Sequence, residues 1–510
     1  MIFATLVQNR TLAPADYVAL AVFFAFNLGI GWWCARRRKS GGDFFLGNNR
    51  ISWWAAGISF FATGASSISF MALPAKTFQT DWLVFGSGPA QSLAGLVVGI
   101  VFVSLLRRLR LVTIFDYLER RFSRSVRLLG AGLAVLLKIF GRMSVVMLLP
   151  ALALATVTGL NVYLSILLMG VVTTLYAMEG GFEAVIWTDV LQVGVTFGGV
   201  FAAIAFMAQG IDGGLAGIVR EGTAAGKFHM VSWAFDLSEP TVWVFIGMFL
   251  GSVFTQLADQ PLMQRALATA DERSAKRTVI LGTLIGIPST IIFFFVGTAL
   301  WVFYQAHPDR LSTALPNDAI FPYFIANEMP PGLVGLVIAA LFAAAMGALS
   351  SALNSSAAMI ATDFIEHPTR PRTDRDRVRI ARWTTVIAGL IATAMAAFIA
   401  SLNVASLWDQ YLKLLALIGG GFPGVFGLGL LTRRANTPGV LCGAVASIGI
   451  TWWIQNHTSL SVFLHAFVAI GSCMVIGYGM SFLLGKRPDP AALAGLTLRE
   501  VLAPKSRQSP

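Results

Sequence analysis

Phe342-Ala-Ala-Ala-Met-Gly-Ala-Leu-Ser-Ser-Ala-Leu-Asn-Ser-Ser-Ala-Ala-Met-Ile-Ala-Thr-Asp363 is an apolar run long enough to cross a bilayer, yet it is crowded with small polar residues. On a helix, Gly347, Ser350, Ser351, Asn354 and Ser355 fall at i, i+3, i+4, i+7 and i+8 and form one stripe. In hydrocarbon such a stripe must face protein or water, because an unpaired hydroxyl or amide there has nothing to bond. Two readings are open. Gly347, Ser351 and Ser355 are four apart, a spacing at which small residues let helix backbones approach; the same hydroxyls can instead line a binding site.

The rest of the chain has the composition that such a helix requires. It is 56% hydrophobic and only 12% charged over 510 residues, which places it among polytopic membrane proteins. Apolar runs predict spans at roughly 16-34, 50-73, 84-106, 126-156, 160-178, 185-208, 239-257, 277-305, 331-363, 379-401, 408-431, 437-455 and 461-485, about 13 crossings in all. With the N-terminus outside, 29 of the 37 Lys and Arg fall in cytoplasmic segments. They include Arg36, Arg37, Arg38, Lys39, the arginines from Arg107 to Arg127, and a segment beginning at Arg265. This one-sided alternation explains the net charge of +12 as a topology signal rather than a nucleic-acid surface. Basic residues follow the first span instead of preceding it, so that span reads as a retained helix, not a cleaved signal. Cys34, Cys442 and Cys473 lie in or beside apolar spans without metal-like spacing.

Several spans carry groups that hydrocarbon does not tolerate. Gly64, flanked by Thr63, Ser66, Ser67 and Ser69, interrupts the second span and frees backbone oxygens near the midplane. Arg142 lies deep in the fourth span, where insertion scales charge it about 2.5 to 3.5 kcal/mol unless it faces a cavity or partner. Lys138, nearer the end, is placed to snorkel. In Glu179-Gly-Gly-Phe-Glu-Ala-Val-Ile-Trp-Thr-Asp-Val-Leu-Gln192 the glycine pair makes a turn, and Asp189 follows about two turns into the next helix. The seventh span contains Gly247, Gly251 and Ser252, then Thr255 and Gln256. Two interrupted helices five spans apart point to an inverted repeat with a site between its halves.

These residues resemble the solute:sodium symporters over roughly residues 15 to 485. The resemblance rests on Gly180-Gly-Phe-Glu-Ala-Val-Ile-Trp-Thr-Asp-Val-Leu-Gln192, on Ala258-Asp-Gln-Pro-Leu-Met-Gln-Arg265, and on the stripe ending Leu353-Asn-Ser355. Trp54 to Thr63, Ser66 to Lys76, Thr80-Asp-Trp82 and Phe140-Gly-Arg142 look most like the bacterial sialic-acid/sodium branch, which also has 13 spans.

The implied fold is all-α and polytopic: a five-plus-five inverted-repeat core of the amino-acid/sodium symporter type, with one extra N-terminal and two extra C-terminal helices. The expected divisions are 1-15 (external), 16-49 (extra helix and basic loop), 50-208 (first repeat), 209-238 (external loop), 239-431 (second repeat), 437-485 (two helices) and 486-510 (cytoplasmic tail, carrying no domain).

The resemblance also implies ligands. The widespread sodium position uses backbone carbonyls matching Ala62, Ala65 and Ala344 and two hydroxyls that here are replaced by Gly347 and Ala348. An additional position, with an aspartate matching Asp189 and hydroxyls matching Ser350 and Ser351, is intact. Three outcomes stay open: a carbonyl-only site, replacement by the Asp189 set, or another coupling ion. On the substrate side, Arg142 would grip a carboxylate through parallel bonds, with Ser66, Ser69 and Gln256 beside it; Gly64 replaces a threonine and Gly88 a glutamine.

The expected function is secondary active transport: sodium-coupled uptake of a small anionic sugar, sialic acid or a related acidic sugar, by alternating access. Sodium neutralises Asp189 and draws the ninth span against the broken second span, completing the substrate site. The protein is expected in the plasma (inner) membrane as a monomer, with its N-terminus outside and C-terminus cytoplasmic, without enzymatic activity or a nucleic-acid partner. Protons in place of sodium, a neutral sugar or monocarboxylate, and a membrane ligand sensor are the alternatives. The segment after Gly485 is short for a signalling domain, and the five histidines form no cluster with carboxylates at depth.

Overall fold

The computed structural model describes residues 12–37, 47–109, 111–158, 161–311, 315, 317–365, 373–402 and 415–499. The first eleven residues, the basic turn at 38–46, the start of the span expected at 408–431 and the tail beyond 499 lie outside the described residues. Among the described residues, nine helices are long and apolar enough to cross a membrane, or up to eleven when two bent pairs are counted as spans.

The bent pairs fix the centre of the molecule. Trp53–Gly64 and Ser67–Gln79 meet at 54°. Ala65 is extended between them, and the Ser66 hydroxyl caps the second piece by accepting from the Ile68 N–H at 3.3 Å. Gly64 therefore marks a true break. The second pair, Val242–Leu257 and Gln260–Leu267, meets at 60°. Its break lies at Ala258–Asp259, where Asp259 accepts from the Leu262 N–H at 3.4 Å and Pro261 occupies the first turn, a position with no hydrogen bond to lose.

This corrects the sequence expectation at two points. Gly247 and Gly251 lie inside continuous helix, where they allow close packing on Val462–Leu483: a Cβ on Gly251 would stand 3.1 Å from Phe467 Cα. The helical path then continues to Leu267, so Arg265 lies in the second half-helix rather than in a basic loop.

Val162–Gln209 is two helices, 48 residues in all, that meet at Gly181, where the backbone leaves the helical conformation (φ 64°, ψ −158°). Laid end to end at 1.5 Å per residue they would span about 72 Å, too long for one crossing of a core about 30 Å thick. The expected turn at Gly180-Gly181 is thus a kink that only glycine adopts without strain.

The opening stripe lies on Leu333–Met359, which continues through the wider turn Ile360–Ile365. Gly347, Ser350, Ser351, Asn354 and Ser355 are all buried. The kinked helix packs along it, with the Tyr176 hydroxyl donating to the Met346 carbonyl at 3.0 Å and Thr196 to Ala340 at 3.3 Å. The N-terminal helix Pro14–Arg37 completes the packing: Asp16 accepts from the Gly332 and Gly335 N–H groups at 2.7 and 2.8 Å, satisfying the start of the stripe helix. At the far end Asp363 holds Arg127 at 2.6 Å and Thr113 at 2.7 Å.

Residues 491–497 are packed on the bundle rather than trailing from it. Leu493 and Leu496 are buried, and Tyr117 donates to the Leu496 carbonyl at 3.0 Å. Beside them Arg121 donates to the Gly429, Thr432 and Ala435 carbonyls at 3.1, 2.9 and 3.2 Å, satisfying the end of Phe422–Leu431.

Candidate functional site

A cavity of about 340 Å³ lies between the two helix breaks. Gly64, Ser66, Ser69, Arg142 and Gln256, expected together from the resemblance, all line it. The wall also contains Gln91, Lys138 and Asp259 with apolar Met248, Phe422 and Phe463. Gly88 faces Thr290; Gln91, one turn later, reaches the cavity, and its carbonyl accepts from Gln256 Nε2 at 2.7 Å.

The charge arrangement is unequal. Lys138 Nζ stands 3.4 Å from both carboxylate oxygens of Asp259, and Arg142 Nη1 is 3.9 Å from Oδ2. Arg142 also donates through Nη2 to the Thr63 carbonyl, a group freed by the end of Trp53–Gly64. Two cations thus share one carboxylate. Lys138 is only 8% exposed and does not snorkel, because Asp259 from the second break meets it inside the bundle.

Behind this cavity lies a second polar cluster. Asp189 is fully buried, and its Oδ2 accepts from Ser59 and, at 3.1 Å, from Arg265 Nη2. Arg265, 1% exposed, also donates through Nε to the Ser59 carbonyl and hydroxyl at 3.1 and 2.8 Å, through Nη1 to the Pro261 carbonyl at 2.7 Å, and through Nη2 to the Ser351 hydroxyl. Ser351 donates back to Gly347 at 2.6 Å, as does Ser350 at 3.3 Å. The Ser351 and Thr63 hydroxyls are 3.2 Å apart. An unbroken chain of contacts, Asp189 to Arg265 to Ser351 to Thr63 to Arg142, therefore joins the buried carboxylate to the cavity.

The sequence profile of the sodium:solute symporter family matches residues 44–447. The chain belongs to that family. The symporter is 34% identical to the sodium/sialic acid symporter NanT of Aliivibrio fischeri over 92% of this chain and 94% of that protein. It is 32% identical to the sodium/sialic acid symporter SiaT of Proteus mirabilis over 91% and 94%. Its fold matches the substrate-bound, outward-open structure of a Na+-coupled sialic acid symporter with a TM-score of 0.86 at 30% identity, covering 93% of this chain and 99% of that one.

Within this symporter part of the set expected around sodium comes together. Asp189, Ser350, Ser351 and Gly347 converge, and Ala62 approaches from the first broken helix, its Cβ lying 3.7 Å from where a Cβ on Gly347 would stand. Ala65 occupies the break and Ala344 lies half-buried one turn before Gly347. The sequence places Arg265 in a basic loop and not at the site, where its guanidinium pairs with Asp189 through Oδ2. Lys138 reads in the sequence as a snorkelling residue, and Asp259, Ser59 and Gln192 are given no part in the site. The dipeptide Asp259-Gln260 followed by Pro261 was a readable signal, since a capping acid before a first-turn proline begins a helix. Nothing in the local sequence of Arg265 announces burial.

Proposed function

We propose that the protein carries an acidic sugar of the sialic acid class into the cell together with sodium, by alternating access. The observation that carries the substrate half is charge: Lys138 and Arg142 face the cavity against the single carboxylate of Asp259. An unbalanced positive charge in a low-dielectric cavity favours a monoanion over a neutral sugar. Arg142 takes the carboxylate, Lys138 shares it, and Ser66, Ser69, Gln91 and Gln256 offer hydrogen bonds to hydroxyl groups. Membership of the sodium:solute symporters and the sodium/sialic acid carriers among its relatives support sodium as the coupling ion.

Sodium binds at the position of Asp189, Ser350 and Ser351; the carbonyls of Ala62, Ala65 and Ala344 belong to the separate, widespread position, whose hydroxyl pair is replaced here by Gly347 and Ala348. Sodium binding favours the arrangement in which the stripe helix and the first broken helix close together, and substrate favours the same form, so each strengthens the other. The fold reads as thirteen crossings: the kinked helix supplies two, and the short helix Phe422–Leu431 completes another. Residues 50–208 and 239–431 form the inverted repeats, the two bent helices being equivalent members. The N-terminus lies outside and the C-terminus in the cytoplasm. Removing Arg265 from the basic loops leaves that orientation supported by the other basic segments. The protein works as a monomer in the inner membrane, without enzymatic activity or a nucleic-acid partner.

The test is counterflow and thermal protection of purified protein with sialic acids, uronic acids, hexoses and monocarboxylates, each with and without sodium. Sodium-dependent protection by sialic acids is expected. Equal uptake of hexoses, or sialic acid uptake driven by protons without sodium, would overturn the reading.

A further inference from the structure

Two buried oxygens have no hydrogen-bond partner and meet over the same residue. Asp189 Oδ1 and Gln192 Oε1 are both unpartnered, and their side chains are 0% and 1% exposed. A Cβ built on Gly347 would lie 3.3 Å from the first and 3.1 Å from the second. The space a side chain would fill is therefore bounded by two bare acceptors. Hydrogen bonding among the neighbours does not relieve them. Arg265 and Ser59 engage the other carboxylate oxygen, Oδ2, while Ser350 and Ser351 donate to the Gly347 carbonyl.

The orientation of the amide is set from outside this cluster. Gln192 Nε2 donates to Asn27 Oδ1 at 2.7 Å, and Asn27 in turn donates through Nδ2 to the Phe23 carbonyl at 2.8 Å. Asn27 thus presents an acceptor, Gln192 must answer with its NH2 group, and the amide oxygen is turned toward Gly347. Buried acceptors held in place without donors are costly, and a hard cation that prefers oxygen ligands removes the cost.

We propose that Asp189 Oδ1 and Gln192 Oε1 are ligands of a sodium ion seated over Gly347, with Asn27 of the N-terminal helix as the positioning residue for Gln192. The proposal rests on the sodium-coupled reading and deepens it. It adds an amide ligand to the set of Asp189, Ser350 and Ser351, and it makes the missing side chain at Gly347 the feature that admits the ion.

The test is equilibrium binding of radioactive sodium, together with sodium-dependent thermal shift, on the purified full-length protein without sugar. Q192L is expected to weaken sodium at least tenfold. G347A, which keeps every polar group but projects a methyl between the two oxygens, should do the same. Q192E should keep or raise the affinity. N27A should weaken sodium, whereas N27A/Q192E should not, because a carboxylate needs no amide orientation; that rescue separates positioning from general destabilisation. Should Q192L fail to fold, as judged by its melting without sodium, G347A and Q192E decide the matter. Wild-type affinity in G347A with loss in S350A or S351A overturns the proposal and places the ion among the hydroxyls. Wild-type affinity in all of these variants shows that a water fills the space, and also overturns it. Absence of sodium binding by the wild-type protein overturns the sodium-coupled reading itself.

Discussion

Arg265 donates through Nη2 to Asp189 Oδ2 at 3.1 Å, and both side chains are buried. Removing one member of such a pair leaves an unbalanced charge, which costs about 3–5 kcal/mol. R265M should therefore lower the melting temperature of the purified protein sharply, whereas R265M/D189N should recover part of the loss. A double-mutant cycle on thermal or denaturant unfolding measures the coupling. Additive losses in the two single variants would show that the pair is not energetically coupled.

Substrate affinity should depend on the geometry of Arg142, not on its charge alone. R142K retains the charge but loses the planar fork that matches a carboxylate. Charge-assisted hydrogen bonds contribute about 1.5–3 kcal/mol, so binding of an acidic sugar should weaken about ten- to a hundredfold by calorimetry. K138M should weaken it by a smaller factor while leaving uncharged competitors unaffected.

Asp259 caps a half-helix and also engages Lys138 and Arg142. Asparagine caps about as well as aspartate but lacks the charge. D259N should therefore fold normally and bind an acidic sugar more tightly, with slower efflux from proteoliposomes. An unchanged dissociation constant would mean that Asp259 does not compete with the substrate for the two cations.

Thr63 joins the two clusters through Ser351 and Arg142. T63V retains the carbonyl that accepts from Arg142 and deletes the hydroxyl. Sodium binding alone and sugar binding at saturating sodium should change little, while the factor by which sodium strengthens sugar binding should fall. That factor is the coupling free energy. Its persistence in T63V would show that coupling does not pass through this contact.

Gly347 and Ala348 replace the hydroxyl pair implied by the family resemblance, and with a single sodium the transport of a monoanion moves no net charge. A second sodium would add one charge, worth about 2.3 kcal/mol per 100 mV. Uptake into proteoliposomes is expected to be insensitive to an imposed potassium-diffusion potential. A substrate-evoked inward current would demonstrate more than one sodium.

The parts of this structure visible in the sequence are those expressed locally. Gly64 with its serines marked a break, Gly180-Gly181, read as a turn, marked the junction of two helices, and the stripe from Gly347 to Ser355 marked a buried helix face. The second break was placed too early because glycine serves two purposes. At Gly247 and Gly251 it admits Leu464 and Phe467 rather than ending a helix, and the capping signal at Asp259 went unread. Arg265 and Lys138 were misplaced for a different reason. A cation at the edge of an apolar run reads as a loop or snorkelling residue until its partners are known, and Asp189 and Asp259 reach them from helices distant in sequence.

Tyr117 and Leu496 fasten the 491–497 segment beside the carbonyls that Arg121 gathers at the end of Phe422–Leu431. A spectroscopic label at Ala494 would therefore be anchored to the bundle rather than carried on a loose leash. Paired with a second label near Asp363, it would give a distance ruler across this end of the bundle, through which opening and closing become measurable in single molecules without altering either ligand site.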